Sequence, residues 1–341
     1  MPFLRNHWYV GAFAEEVGHE PLNRRMLDEP IVMYRSEAGE PIALSDVCPH
    51  KSAPLHMGVV HGDTLACPYH GLRFDPSGQC VHNPNFDRAI PKAARVRSYP
   101  VKERDGLLWI WMGERAKADT VTIPLCDLAQ PSVTSRPVKG YIHVKAHYEL
   151  LTDNLLDQSH GETLHPYLLK EGATSRMQFE VRQERDTVIS DGLLPKEPIT
   201  PILSGLWDRG PIDRADHRFI VTWNAPSYIL LTISAYPPGS NSSEGVTGTN
   251  AHLLTPETAG STHYFWIFAR DSRLEDDPFD EELTAALNQT FVNEDRPILE
   301  WQQTYLSELG DLVKRHPLKA DAGGVRARRV VERMLAAERQ K

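Results

Sequence analysis

The sequence predicts an α+β protein in two parts: an all-β N-terminal domain over residues 1–118, and an α+β domain with an antiparallel sheet and helices over residues 119–341. Three observations lead there. Up to about residue 115 the apolar runs are short, alternate with polar residues and are broken by frequent Gly and Pro, as in small β domains. Polarity then rises through Glu114-Arg-Ala-Lys-Ala-Asp-Thr120, which reads as a linker. Beyond it, strand-like runs mix with longer helical ones, the ingredients of an α+β fold. The length, 341 residues, suits about two domains.

In the first part, runs such as Pro41-Ile-Ala-Leu44 and Leu107-Leu-Trp-Ile-Trp111 read as strands, and Pro49, Pro68, Gly71 and Gly78 mark tight loops between them. Two of those loops carry chemistry: Cys48-Pro-His50 and Cys67-Pro-Tyr-His70, with sixteen residues between them. Structural zinc also takes two cysteines and two histidines, but usually pairs the cysteines in one knuckle and the histidines in another. Here each knuckle supplies one thiolate and one imidazole. Two such loops present sulfur on one side and nitrogen on the other, which suits a [2Fe-2S] cluster with two cysteines on one iron and two histidines on the other, a Rieske centre. Cys48, His50, Cys67 and His70 are therefore the expected cluster ligands.

Composition narrows the setting. Hydrophobic residues make up 40% and charged residues 24%, enough for an ordinary globular core. No run approaches the roughly 20 apolar residues of a membrane span, and Met-Pro-Phe-Leu-Arg-Asn-His-Trp8 has no signal-peptide core. Four cysteines, two of them assigned, leave Cys80 and Cys126 as plain thiols, which fits a reducing cytoplasm. A formal charge of −9 argues against nucleic acid as a partner, because phosphate binding needs a basic face.

In the second part, Phe219-Ile-Val-Thr-Trp223, Tyr228-Ile-Leu-Leu-Thr-Ile233 and His263-Tyr-Phe-Trp-Ile-Phe268 read as strands, and stretches near 147–164, 279–308 and 322–340 as helices. Residues 170–215 show no clear period and read as an irregular or lid-like segment. The helix over 147–164 holds Asn154-Leu-Leu-Asp157-Gln-Ser-His160-Gly-Glu-Thr-Leu-His165-Pro166. Asp157 and His160, three apart, would share a face. His165 lies five residues after His160, about 140° around an ideal helix, so the two converge only if the helix ends. Pro166 supplies such an ending. A packed, hydrogen-bonded histidine pair is the alternative to a metal site. A third ligand comes from the helix over 279–308, whose apolar stripe Leu283, Leu287, Phe291 continues to Asp295. A carboxylate on a core stripe is costly unless paired or bound to metal. Glu294, one position off, is the weaker candidate. Two histidines and one carboxylate form the facial triad of non-haem Fe(II) oxygenases, so His160, His165 and Asp295 are the expected ligands of a mononuclear iron.

With these motifs in place the chain resembles, along nearly its whole length, the oxygenase component of Rieske non-haem iron oxygenases. It is most similar to the group of vanillate O-demethylase, dicamba O-demethylase and toluenesulfonate methyl-monooxygenase. The resemblance rests on the two knuckles and on Arg5-Asn-His-Trp-Tyr-Val10, Leu72 after Gly71, Asp153-Asn-Leu-Leu-Asp157, Leu254-Thr-Pro-Glu257, Asn293-Glu-Asp295 and Asp321-Ala-Gly-Gly-Val325. It implies a homotrimer, with the cluster of one subunit serving the iron of its neighbour, and a separate flavin/iron–sulfur reductase fed by NADH. It implies that the Asp157 carboxylate joins the partner subunit's His70 to His160, that Asn154 lies near the iron, and that His252 contacts an acidic or phenolic group of a small aromatic substrate. The family also uses an Asn on the preceding strand; the corresponding Leu230-Leu-Thr-Ile233 offers none. The implied reaction consumes O2 and hydroxylates a methyl group, most simply in O-demethylation of a methoxy aromatic acid with release of formaldehyde; aryl-methyl hydroxylation and N-demethylation are alternatives within the family. A Rieske electron-transfer protein, the reading outside it, leaves the second ligand set unexplained.

Overall fold

The computed structural model describes residues 3–90, 92–124, 126–312 and 314–340. They form two units: residues 5–125 together with 255–259, and the remainder of the chain.

The first unit is all β. Its strands are β1 (Trp8–Phe13), β2 (Leu22–Met26), β3 (Glu29–Arg35), β4 (Pro41–Ser45), β5 (Val59–His61), β6 (Thr64–Ala66), β7 (Arg73–Phe74), β8 (Cys80–His82), β9 (Ser98–Tyr99), β10 (Val101–Arg104) and β11 (Leu107–Trp111). They make three small antiparallel sheets, ordered β1-β11-β10, β2-β3-β4-β9 and β5-β6-β7-β8. The apolar runs Ile42–Leu44 and Leu107–Trp111 are buried. Segment 255–259 joins this unit through its backbone: Leu27 N donates to Pro256 O at 2.8 Å and Asp28 N to Glu257 O at 2.9 Å. Residues 119–125 join it as well, with Trp8 Nε1 donating to Val121 O at 3.0 Å.

The second unit is built on one seven-stranded sheet. Its strands are β12 (Arg136–Val144), β13 (Gln178–Glu184), β14 (Thr187–Pro198), β15 (Arg214–Asn224), β16 (Tyr228–Tyr236), β17 (Val246–Thr258) and β18 (Ser261–Arg270), in the order β12-β18-β17-β16-β15-β14-β13. Every registered pair is antiparallel. The helices are α1 (Tyr148–Leu156), α2 (Ala173–Arg176), α3 (Pro201–Leu206), α4 (Asp277–Asn288), α5 (Arg296–Leu309) and α6 (Ala322–Arg339).

Three expectations are corrected by this unit. Residues 170–215 are not an irregular lid: they hold α2, two long strands and α3. The pattern was hidden because β13 is an edge strand, Gln-Phe-Glu-Val-Arg-Gln-Glu, with most of its side chains in water. A charged edge blocks further pairing and erases the apolar period. The helix expected over 147–164 ends at Leu156. Asp157 caps it in an extended conformation, and its Oδ1 accepts from Ser159 N at 2.7 Å and Ser159 Oγ at 2.6 Å. That side-chain turn competes with the helix and stops it nine residues before His165.

The helical pair α4 and α5 is not one α-helix either. Residues Gln289–Asp295 between them are π-helical, with Arg296 N donating to Phe291 O. A spacing of four overshoots a 3.6-residue turn by about 40° per step, so Leu283, Leu287, Phe291 and Asp295 would spiral off one face. The wider π turn returns Phe291 and Asp295 to the buried side. Such π segments gather at functional sites.

Candidate metal centres

The cluster knuckles follow β4 and β6. Each is closed by the same five-residue turn: Ser52 N donates to Cys48 O at 2.9 Å, and Gly71 N to Cys67 O at 3.0 Å. Gly71 sits at φ +69°, a left-handed conformation suited to Gly. The turns bury both thiols, and burial, with the Cys67 thiol alongside, pushes Cys48 up to about 11. The His50 and His70 rings lie 4.5 Å apart between centroids. His70 Nδ1 is buried without a hydrogen-bond partner among the described residues. Buried polar nitrogens are rarely left so. Paired sulfurs, paired imidazoles and an orphaned ring nitrogen fit a [2Fe-2S] cluster held on one side by Cys48 and Cys67 and on the other by His50 and His70.

The second centre draws on four segments of the chain. Asn154 comes from the last turn of α1, His160 from a 3₁₀ turn over Ser159–Glu162, His165 from the coil beyond it, and Asp295 from the end of the π segment. Asp295 Oδ1 lies 3.2 Å from His165 Nε2 and 3.7 Å from His160 Nε2. One ligand atom from each of the three residues falls within 4.8 Å of the others, so the set can hold one ion. Asn154 Nδ2 donates to Asp295 Oδ1 at 3.1 Å and lies 3.4 Å from His160 Nε2. Asp295 and His165 are buried at 6% and 2% exposure, where a carboxylate without a cation or donor would be expensive.

The outer nitrogens of both histidines are also engaged. His165 Nδ1 meets Glu294 Oε2 at 2.6 Å, and Tyr167 Oη donates to that oxygen at 3.0 Å. Burial lowers the proton affinity of His165, but hydrogen bonds to Asp295 and Glu294 outweigh it and hold the imidazole above its ordinary value. The same carboxylates favour a metal cation. His160 Nδ1 donates to the backbone carbonyl of Asp157 at 2.6 Å. Within the chain, therefore, His160 is held by the Asp157 carbonyl and not by its carboxylate as expected. The role of Glu294 was missed in the sequence: next to Asp295 it looked like a spare ligand, yet it fixes the ring of His165. Glu294→Gln is expected to weaken Fe(II) binding about 10- to 100-fold, the usual effect of removing an outer partner, measured by anaerobic Fe(II) titration of the cluster-loaded protein.

The inner sheet face carries this assembly. Gln158 Nε2 donates to the Ser190 and Phe219 carbonyls, each at 3.1 Å. The approach needs Gly192, since a Cβ there would lie 2.2 Å from Gln158 Oε1. His252, on β17, is fully buried on the same side, its ring 5.6 Å from that of Phe291. Burial pushes it down to about 3, so it is a neutral imidazole near pH 7, and its Nδ1 lies 2.6 Å from Tyr264 Oη.

Comparisons with known proteins agree with this arrangement. Residues 7–100 match the Rieske [2Fe-2S] domain family and residues 144–337 the vanillate O-demethylase oxygenase C-terminal domain family. The oxygenase component of dicamba O-demethylase from Stenotrophomonas maltophilia is 38% identical over 343 residues, 98% of each chain. A vanillate O-demethylase oxygenase subunit from a Pseudomonas species is 32% identical over 351 residues, 99% of this chain and 96% of that one. Crystal structures of dicamba monooxygenase superpose with a TM-score of 0.94 when bound to 3,6-dichlorosalicylic acid and 0.86 with non-haem iron and dicamba, both at 35% identity and covering at least 99% of each chain. The chain belongs to the vanillate O-demethylase-like Rieske non-haem iron oxygenases, as an oxygenase component.

Proposed function

We propose that this oxygenase removes the methyl group of a methoxy aromatic acid. The observation that carries the reading is the convergence of His160, His165 and Asp295 beside a buried, neutral His252, in a chain related over its full length to two O-demethylase components. Residues 1–118 act as the electron-delivering domain and residues 119–341 as the catalytic one. When bound, the cluster supplies single electrons and the mononuclear iron activates O2 for insertion into a methyl C–H bond. The hydroxylated ether then collapses to a phenol and formaldehyde. Two electrons from NADH, passed through a flavin/iron–sulfur reductase, and two protons take the second oxygen atom to water.

The chain's own residues set the geometry. Asn154 donates to Asp295 and steadies the ligand carboxylate. Glu294 and the Asp157 carbonyl fix the two imidazoles. His252 anchors the ring substituent, its tautomer set by Tyr264. A substrate acceptor left without its donor in a buried site costs about 1–3 kcal/mol, so His252→Ala is expected to raise KM about 5- to 150-fold while kcat changes less. Steady-state kinetics with a surrogate reductase measures both.

A homotrimer in which clusters serve neighbouring irons is supported by two exposed apolar surfaces. Met57, Val59 and Tyr69 stand in water around the knuckles. Trp301, Tyr305 and Leu309 form an exposed stripe on α5, and Tyr305 borders a cleft of about 430 Å³ that also holds Asn154, Asp157 and His160. Patches of this kind mark protein interfaces. The Asp157 carboxylate in that cleft is the proposed receiver of the partner subunit's His70. The four cysteines form no disulfide with one another, in keeping with a reducing cytoplasm, and no described helix is long and apolar enough to cross a membrane. A panel of methoxybenzoates, methoxyphenols, methylated arenes and N-methyl aromatics, scored for formaldehyde and hydroxylated product, tests the reaction. Formaldehyde from N-methyl compounds alone would replace it with N-demethylation.

A further inference from the structure

Leu156 is the last residue of α1, so its backbone carbonyl has no partner inside the helix. Ser190 Oγ, on β14 and fully buried, donates to Leu156 O at 3.2 Å. Two residues further on, the side chain of Gln158 returns to the same strand. Its Nε2 donates to Ser190 O and to Phe219 O on the neighbouring β15, each at 3.1 Å. Ser190 thus gives a hydrogen bond to the chain just before Asp157 and takes one from the chain just after it. Asp157 is held between these two points, and its carbonyl accepts from His160 Nδ1 at 2.6 Å.

The orientation of the Gln158 amide is fixed. Both amide protons go to carbonyls, and a flipped amide would set oxygen against oxygen. Oε1 therefore lies on the other side, buried and without a hydrogen-bond partner among the described residues. It sits over Gly192, where a Cβ would come within 2.2 Å of it. The other atom such a Cβ would meet closely, Met177 Sδ, belongs to a flexible side chain. A buried amide that strands its own oxygen adds little to stability, and an apolar side chain would fill the space without that cost. What the amide supplies is position: directional bonds to two strands at once hold Gln158 in one place, which packing alone leaves looser.

We propose that Ser190, Gln158 and Gly192 form a latch that positions Asp157 and, through the Asp157 carbonyl, the ring of His160. They are positioning residues for the iron centre and act through Asp157 rather than on the ligand atoms. Strands β14 and β15, not α1, then set the direction of this imidazole. His165 stands outside the latch, its ring held by Glu294 on the π segment. The two histidines of one site therefore answer to separate supports, and loosening the latch disturbs one while leaving the other in place. The inference is independent of which methyl group the enzyme attacks.

Anaerobic Fe(II) titration of the cluster-loaded protein, followed by EPR of its nitric oxide adduct, tests it. The unaltered enzyme should give one iron–nitrosyl species. Gln158→Met keeps the bulk and loses both donors. Its Fe(II) binding is expected to weaken about tenfold, the lower end of what outer partners of metal ligands contribute. Its nitrosyl signal should become a mixture of species, as the His160 ring loses its single orientation. Ser190→Ala should do the same to a smaller degree. Gly192→Ala displaces Gln158 and should reproduce the Gln158→Met spectrum; added to Gln158→Ala, it should lower Fe(II) affinity no further, because the residues act as one unit. Thermal melting confirms that each variant is folded. An unaltered nitrosyl signal with unchanged Fe(II) affinity in Gln158→Met overturns the proposal, whatever happens to the melting temperature. Additive losses from Gly192→Ala and Gln158→Ala overturn the latch as one unit. Should Gly192→Ala fail to fold, Gln158→Met and Ser190→Ala decide by themselves.

Discussion

Asp295→Ala is expected to empty the mononuclear site and leave the cluster in place. Iron content should fall from about three to about two atoms per chain, with the reduced-cluster EPR signal unchanged and product formation abolished. The carboxylate oxygen is the one atom shared by the site: His165 Nε2, His160 Nε2 and Asn154 Nδ2 all converge on Asp295 Oδ1, at 3.2, 3.7 and 3.1 Å. Removing an outer partner of a ligand costs about 10- to 100-fold in metal affinity, and loss of a ligand itself should exceed that. The substitution also removes a buried charge, so the protein should not be destabilised by an orphaned anion. Asp295→Asn keeps the volume and checks that the loss is one of ligation, since an amide is a far poorer iron ligand. Full iron occupancy and retained turnover in either variant would remove Asp295 from the triad.

The contrast between the two centres shows what could be read from the residues. The cluster knuckles were legible because their candidate ligands sit two or three residues apart in a single turn, where local geometry settles what they can reach. The iron ligands were legible in part. His160 and His165 announced a site, but the helix end that brings them together was placed at Pro166, and it falls at Leu156 because Asp157 captures Ser159. Asp295 stood out as a carboxylate on an apolar stripe, while the π turn that carries it inward did not, since spacing by four reads equally as an ordinary helix drifting around its axis. β13 was lost among its own charges, because the edge of a sheet takes its identity from the neighbour it pairs with.

Asp157→Ala is expected to retain both metal centres and to lose turnover by about 100-fold or more, at the upper end of what outer partners of metal ligands contribute. The reason is a division of labour within one residue. Its backbone carbonyl accepts from His160 Nδ1 at 2.6 Å, and alanine keeps that carbonyl, so the iron ligand stays oriented and loaded. Its carboxylate accepts from Ser159 through Oδ1 only and borders the cleft beside α5, where the partner subunit's His70 is proposed to arrive. In the variant, the path from the cluster to the iron loses its hydrogen-bonded link. Single-turnover measurement with the cluster pre-reduced should then show substrate bound and iron present but cluster oxidation slowed to the rate of product formation. Loss of the Ser159 turn could also shift His160, which a second variant separates: Ser159→Ala removes one bond to the same oxygen and leaves the carboxylate, so it should turn over nearly as the unaltered enzyme does. Normal cluster-to-iron transfer in Asp157→Ala, or full activity in a species that light scattering shows to be a monomer, would place the electron path elsewhere.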